Sequence, residues 1–252
     1  MIMETRMKAW IVRRPQARAA MRLFCFPYAG GGASVYSAWQ EALGPSVEVC
    51  AIQAPGRESR MAEPPIREMS RWVADLAPAL IDLARLPFAF FGHSLGAVAA
   101  FEMSRYLMHR GLPLPKLLFV SGAASPASRE GKGQTHLLPD AQFMEQLAEM
   151  DGTPAEVLAN RELMAFLLPM IRADFELSGC YAYRPSLRLP VPIVACAGTH
   201  DSHAEPESMQ RWARETAGDF RLQAFEGGHF FLHAQGPALR QFVADELKRH
   251  ML

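Results

Sequence analysis

Cysteine is scarce in this chain and is never paired as C-x-x-C: the four residues are Cys25, Cys50, Cys180 and Cys196. Such spacing gives little support to a zinc site or a dithiol redox centre. Cys25, Cys50 and Cys196 lie inside apolar runs, where a thiol behaves as a small hydrophobe. An excess of charge is also missing, since Lys plus Arg and Asp plus Glu each number 26. That balance calls for no polyanion, so neither nucleic acid nor a membrane surface is expected as a partner. No run approaches the roughly 20 apolar residues of a membrane span. Met1 to Gln16 mixes Arg and Lys with isolated apolar residues, unlike the continuous core of a secretion signal. Reduced thiols without an export signal point to the cytoplasm. Absent too are G-x-G-x-x-G, Gly-Lys-Ser/Thr and H-E-x-x-H, which removes the usual phosphate cradles and the metalloprotease pattern.

What is present is a large apolar inventory. Half of the 252 residues are hydrophobic, enough for one core, and a single domain over residues 1–252 is expected. Short apolar runs bounded by Gly or Pro read as buried strands at Leu23–Phe26, Val47–Ile52, Phe88–Phe91, Leu117–Ser121, Ile193–Ala197 and Leu222–Phe225. Helical spacing separates them at Met69–Leu86, Leu95–His109, Glu207–Thr216 and Pro237–Arg249. This alternation implies an α/β fold, a mostly parallel sheet with helices on both faces. Residues 126–190 break it. Ser125–Gln134 reads as a loop, Pro139–Met150 as a helix, and Pro154–Tyr181 as a second helix kinked or broken at Pro169. A helical block of this length between strands is expected to lie on the sheet's rim as a lid, where α/β ligand sites are found.

Gly92-His93-Ser94-Leu95-Gly96 matches G-x-S-x-G. Context makes the short pattern informative: it follows the apolar strand Phe88–Phe91 and opens an Ala-rich helix, the strand–turn–helix of a nucleophile elbow. Side chains at positions 92 and 96 would crowd neighbouring backbone in so sharp a turn, and Ser94 is the candidate nucleophile. The glycine-rich stretch Phe26 to Gly32 follows the first clear strand. It suits an oxyanion hole built from the backbone N–H groups of Ala29 and Leu95. Asp201 follows the strand Ile193–Ala197, and His229 follows Leu222–Phe225, in the chain order Ser, Asp, His. An acid there would set the imidazole tautomer of the base. Among rivals, Asp174 in the helical insert is expected to be solvated or lid-facing, and His233 to lie one helical turn past His229. His93 is confined within the elbow, and His109, His136 and His250 read as surface residues. His200 and His203 flank Asp201 but lack the further ligands a zinc ion needs, so no metal is expected.

With these motifs in view, the chain resembles the type II thioesterases that accompany nonribosomal peptide and polyketide synthases. The matching segments run from about Leu23 to Leu232. They are Phe26-Pro27-Tyr28-Ala29-Gly30-Gly31 with Trp39, Pro55-Gly56-Arg57-Glu58 with Arg60, and Phe91 to Gly96 with Glu102. Gly198-x-x-Asp201 with Trp212, and Gly228-His229-Phe230-Phe231-Leu232, complete the set. Tyr28 stands where many relatives have His, and Leu95 where many have Met. The resemblance implies an α/β-hydrolase fold with a mobile helical lid, and hydrolysis of acyl groups from the phosphopantetheine arm of carrier proteins as an editing step. It implies no cofactor, because the arm belongs to the substrate, and carrier-protein domains as partners of an expected monomer. The alternatives are a carboxylesterase or lipase acting on free oxygen esters, and a catalytically idle binding module.

Overall fold

The computed structural model describes residues 10–128, 134–150 and 152–251. Residues 1–9, and residues 129–133 of the expected loop Ser125–Gln134, lie outside the described residues. Runs that are apolar at nearly every position become strands covered on both faces. These are β2 (Met21–Phe26), β3 (Val47–Ile52), β4 (Phe88–His93), β5 (Leu118–Ser121) and β6 (Ile193–Gly198), with β7 (Phe220–Phe225) beside them at the edge. Neighbours among β2 to β7 pair in parallel, in the order β1-β3-β2-β4-β5-β6-β7. β1 (Ile11–Arg13) adds an antiparallel edge strand on β3 that the sequence reading did not anticipate. Its pattern is mixed because Val12 faces solvent, half exposed, while Arg13 reaches the buried Glu48 on β3 at 2.9 Å.

Helices close both faces. α2 (Met69–Leu83) and α3 (Leu95–His109) bury their apolar stripes on one side, against Phe24, Phe26, Phe90 and Leu118. α1 (Trp39–Leu43) and α9 (Gly236–His250) cover the other, with Trp39 and Leu239 packed around Cys25, Phe91 and Phe119. α2 stops at Leu83, three residues before the expected Leu86. The expected helix Glu207–Thr216 is α7 (Pro206–Gln210) followed by a 3-10 turn, Arg211–Arg214. That turn carries Trp212 into the core, where its Nε1–H donates to the Ala123 carbonyl at 2.7 Å.

Between β5 and β6 lie α4 (Asp140–Glu149), α5 (Ala155–Ala159) and α6 (Arg161–Gly179). The expected single helix Pro154–Tyr181 is therefore two. The break falls at Asn160, not at Pro169. Asn160 is extended, with φ −85° and ψ 97°, and its side chain accepts from the Leu163 N–H at 3.0 Å, so it caps α6. Pro169 is tolerated inside the helix because both it and Ala165, whose carbonyl loses its partner, face solvent. These helices hold a small apolar cluster of their own, Phe143, Leu147, Met164, Leu168, Met170 and Ile171, while Leu177 at the end of α6 joins the main core.

Parallel register brings the carboxyl ends of five strands to one rim. Phe26 pairs with Gly92, His93 with Ser121, Ser121 with Cys196, and Gly198 with Phe225. The loops that follow carry residues 27–32, Ser94, Asp201 and His229. The strand order also reverses between β2 and β4, since β3 lies on the far side of β2. A crevice forms at such a switch point.

Candidate active site

The turn between β4 and α3 holds Ser94 at φ 53° and ψ −117°, a positive-φ conformation that a side-chain-bearing residue adopts only under constraint. The constraint is close approach. A Cβ on Gly92 would stand 2.2 Å from the Gly96 carbonyl oxygen, and one on Gly96 would stand 2.1 Å from that of Phe26. The Ser94 N–H is fixed to the Ser121 carbonyl at 2.8 Å. Ser94 does not cap α3 with its side chain. Its Oγ turns outward instead, and lies 3.1 Å from His229 Nε2.

His229 Nδ1 is 2.9 Å from Asp201 Oδ2, and the other carboxylate oxygen accepts the N–H groups of His203 at 2.9 Å and Ala204 at 3.0 Å. Asp201 is only 2 % exposed. Burial alone would raise its carboxyl, but the hydrogen bond and charge of His229, joined by the two backbone donors, outweigh burial and hold it below the usual range. An ionised carboxylate can only accept, so the imidazole proton sits on Nδ1 and Nε2 is free to accept from the serine hydroxyl. The structure thus brings Ser94, Asp201 and His229 together in one hydrogen-bonded line.

The glycine-rich loop after β2 closes the site. The Gly31 N–H donates to the Tyr28 carbonyl at 2.9 Å, and Gly30 takes a φ of 80°. Among the described residues, the N–H groups of Ala29 and Leu95 donate to no protein acceptor, whereas the Gly30 N–H is bound to Asp174 Oδ2 at 2.7 Å. Ser94 forms part of the wall of a cavity of about 300 Å³ whose other walls include Tyr28, Leu147, Met150, Leu167, Met170, Ile171, Phe175 and Phe230. The helices between β5 and β6 supply most of this apolar lining. A larger cleft of about 670 Å³ between α2, α3 and the end of α6 contains none of Ser94, Asp201 or His229.

The remaining histidines separate cleanly. His93 is fully buried behind the site, with Nδ1 2.9 Å from Ser121 Oγ. Burial first, and the neighbouring His229 second, push its pKa well down. His233 lies on α8 (Phe231–Ala234), and its Nε2 meets the Tyr28 hydroxyl at 3.0 Å. His200 faces Glu226 at 3.4 Å in solvent, and His203 packs edge-on to His229. Among the described residues, no three His, Cys, Asp or Glu side chains cluster as metal ligands would.

Of the two expectations for Asp174, solvated or lid-facing, the first is overturned. Asp174 is not solvated: it is 2 % exposed, and Arg57 grips it with both guanidinium nitrogens, at 2.7 and 2.8 Å. The sequence reading takes Asp174 only as a rival for the acid and Arg57 only as a motif residue, and does not pair them. A signal was available, because Asp174 falls on the stripe with Met170, Ile171 and Leu177, and a carboxylate on an apolar helix face needs a buried partner. Glu58, next to Arg57, accepts from the Ser34 hydroxyl at 2.6 Å and so holds the far end of the same loop.

Comparison with known proteins bears on this geometry. A sequence model of the thioesterase domain matches residues 21–247. The gramicidin S biosynthesis protein GrsT of Aneurinibacillus migulanus is 39% identical over 240 residues, which are 95% of this chain and 94% of that protein. The type II thioesterase BorB from the borrelidin biosynthetic cluster superposes with a TM-score of 0.88 at 36% identity, covering 97% of this chain and 98% of that one. The thioesterase RedJ from the prodiginine pathway of Streptomyces coelicolor gives 0.83 at 35% identity, covering 93% and 90%. With the sheet order above, these neighbours make the fold that of an α/β-hydrolase, as the sequence suggested.

If Asp201 sets the tautomer of His229, Asp201→Asn keeps the fold but lowers thioester turnover by about 10⁴, the loss known when a triad carboxylate becomes an amide. Circular dichroism alongside steady-state kinetics checks it. A folded variant within tenfold of the parent would mean that another group orients His229.

Proposed function

The chain belongs to the thioesterase family, and from that premise we propose that it removes acyl groups from the phosphopantetheine arms of carrier-protein domains, as an editing enzyme beside a nonribosomal peptide or polyketide synthase. Thioester hydrolysis is the family's chemistry. The observation that supports its assignment to particular residues is the line from Ser94 Oγ to His229 Nε2 to Asp201, with Ser94 in the wall of a mostly apolar cavity.

In this reading Ser94 Oγ attacks the thioester carbonyl while His229 Nε2 takes the hydroxyl proton. The N–H groups of Ala29 and Leu95 receive the developing oxyanion. The C–S bond breaks, the thiol of the arm leaves with the proton from His229, and an acyl-serine ester remains. Water, deprotonated by His229, then attacks the ester and releases the acid, regenerating Ser94. Every step uses side chains and backbone donors of this chain, so no cofactor or metal is invoked. The segment 126–190 acts as a lid on a single hydrolase domain, its helices roofing the acyl cavity. Carrier domains are the partners. The four free cysteines fit a reducing compartment, the cytoplasm, and among the described residues no helix is long and apolar enough to cross a membrane. An apolar cavity distinguishes chains weakly, at ~1–3 kcal/mol per methylene, which suits an editing enzyme that must accept many acyl groups.

Two outcomes follow. Ser94→Ala loses turnover by a factor on the order of 10⁶ without unfolding, the scale of nucleophile loss in a serine hydrolase. A fluorophosphonate probe no longer labels that variant, and labelling at another residue would move the nucleophile. The carrier reading is tested by comparing one acyl group on a carrier protein and on a free pantetheine analogue. We expect the higher kcat/KM on the carrier, because contacts remote from the thioester persist into the transition state. Equal values, with faster cleavage of simple oxygen esters, would favour an esterase.

A further inference from the structure

The buried pair formed by Arg57 and Asp174 makes two hydrogen bonds to the loop that flanks Ser94, beside those within the pair and from Arg57 to the Pro55 carbonyl. Asp174 Oδ2 accepts both from Arg57 Nη1 and from the Gly30 N–H, each at 2.7 Å, and Oδ1 accepts from Arg57 Nη2 at 2.8 Å. Arg57 Nη1 also donates to the Gly31 carbonyl at 3.0 Å. The pair therefore holds the loop at an N–H and at a C=O, on consecutive residues. Between them, the Gly31 N–H to Tyr28 carbonyl bond and the φ of 80° at Gly30 are those of a type II turn with Ala29 and Gly30 at its corners. Such a turn can interconvert with type I by flipping its central peptide. Here that peptide is Ala29–Gly30, and a flip would aim the Ala29 carbonyl at the Asp174 carboxylate in place of the Gly30 N–H. Charge repulsion forbids it.

We propose that Arg57 and Asp174 are positioning residues for hydrolysis, fixing the turn at residues 28–31 beside Ser94 and, with it, the place of the Ala29 N–H that receives the oxyanion. The proposal rests on the Ser94 reading given above. It has a mechanical consequence, because Asp174 belongs to α6, which also roofs the acyl cavity through Met170 and Ile171. Ile171 lies one turn before Asp174 and sits 3.4 Å from where a Cβ on Gly30 would be. The roof of the acyl cavity and the oxyanion turn are thereby a single unit, and an acyl chain that disturbs α6 disturbs catalysis directly. Burial by itself would lower the pKa of Arg57, but the charge and hydrogen bonds of Asp174 outweigh it and raise it, so the guanidinium remains charged. Stability alone does not account for the pair. Well-packed apolar side chains commonly replace a buried ion pair without loss of stability, yet they cannot hold the Gly30 N–H or the Gly31 carbonyl.

That contrast supplies the test. Asp174→Asn, the double variant Arg57→Met/Asp174→Leu and Ser94→Ala are compared with the parent for thermal midpoint, and for kcat and KM on an acyl-pantetheine thioester. Asp174→Asn is expected to lower kcat by about 10²–10³, the range for losing one oxyanion-hole donor, with KM little changed. The double variant is expected to regain the parent's thermal midpoint while kcat stays low. Recovery of kcat together with stability in the double variant, or a folded Asp174→Asn with the parent's kcat, would overturn the proposal and reduce the pair to packing. Should Asp174→Asn fail to fold, the double variant alone decides. Ser94→Ala separates the two readings: its inactivity beside an active double variant sinks only the positioning role, and its activity would sink the serine mechanism itself.

Discussion

A serine held at φ 53° is the constraint around which the rest of this molecule is organised. The conformation is costly for any residue with a Cβ, on the order of 1–3 kcal/mol, and it persists only because its surroundings leave no alternative. Glycine at 92 and 96 lets the start of α3 press onto the end of β4 and onto the Phe26 carbonyl. The Ser121 carbonyl holds the Ser94 N–H from the neighbouring strand. Both contacts depend on parallel register among β2, β4 and β5, and that register depends on a sheet buried on both faces. The elbow thus draws on the stability of the whole core. In return it sets Oγ on the rim, where the loops after β6 and β7 deliver Asp201 and His229.

The legibility of these features followed burial. Strands inside the sheet are apolar along their length, so β3 was read to its final residues and β4 and β6 nearly so. β1 was not foreseen, because a three-residue edge strand exposes Val12 and ends on an ion-paired Arg13, which leaves no apolar run to notice. α3 was read to both ends, Leu95 and His109, since a glycine and an elbow bracket it. The α5–α6 break falls at Asn160 although proline is the stronger breaker in sequence, because the asparagine cap governs locally and the Ala165 carbonyl that Pro169 leaves without a donor faces water. Ser94, Asp201 and His229 were legible as residues just past strand ends. Their meeting at hydrogen-bond distance is a property of the fold that no spacing encodes.

Asp174 was the least legible element of the site. It is 117 positions from Arg57 and 144 from Gly30, and only the three-dimensional packing of α6 on the glycine-rich turn makes them partners. The Pro55-Gly56-Arg57-Glu58 segment, noticed as a family marker, acquires a physical reading here. Arg57 holds the turn at Gly31 and, through Asp174, at Gly30, while Glu58 holds Ser34. The departure at Tyr28 has one as well, since its hydroxyl reaches His233 and its ring packs on Phe230, joining the cavity wall to the loop that carries His229. The cavity wall, the glycine-rich turn and the loop that carries His229 are therefore joined by short side-chain contacts rather than assembled independently.

The central claim is that the acyl group passes through Ser94. It is tested most directly by rapid quenching during turnover of a slow acyl thioester in ¹⁸O-water, followed by mass spectrometry of intact protein, peptides and product. The account predicts a transient acyl mass on the peptide containing Ser94 and a single ¹⁸O in the released acid. An acyl adduct on another residue, or turnover in which ¹⁸O enters an enzyme carboxylate instead, would contradict it.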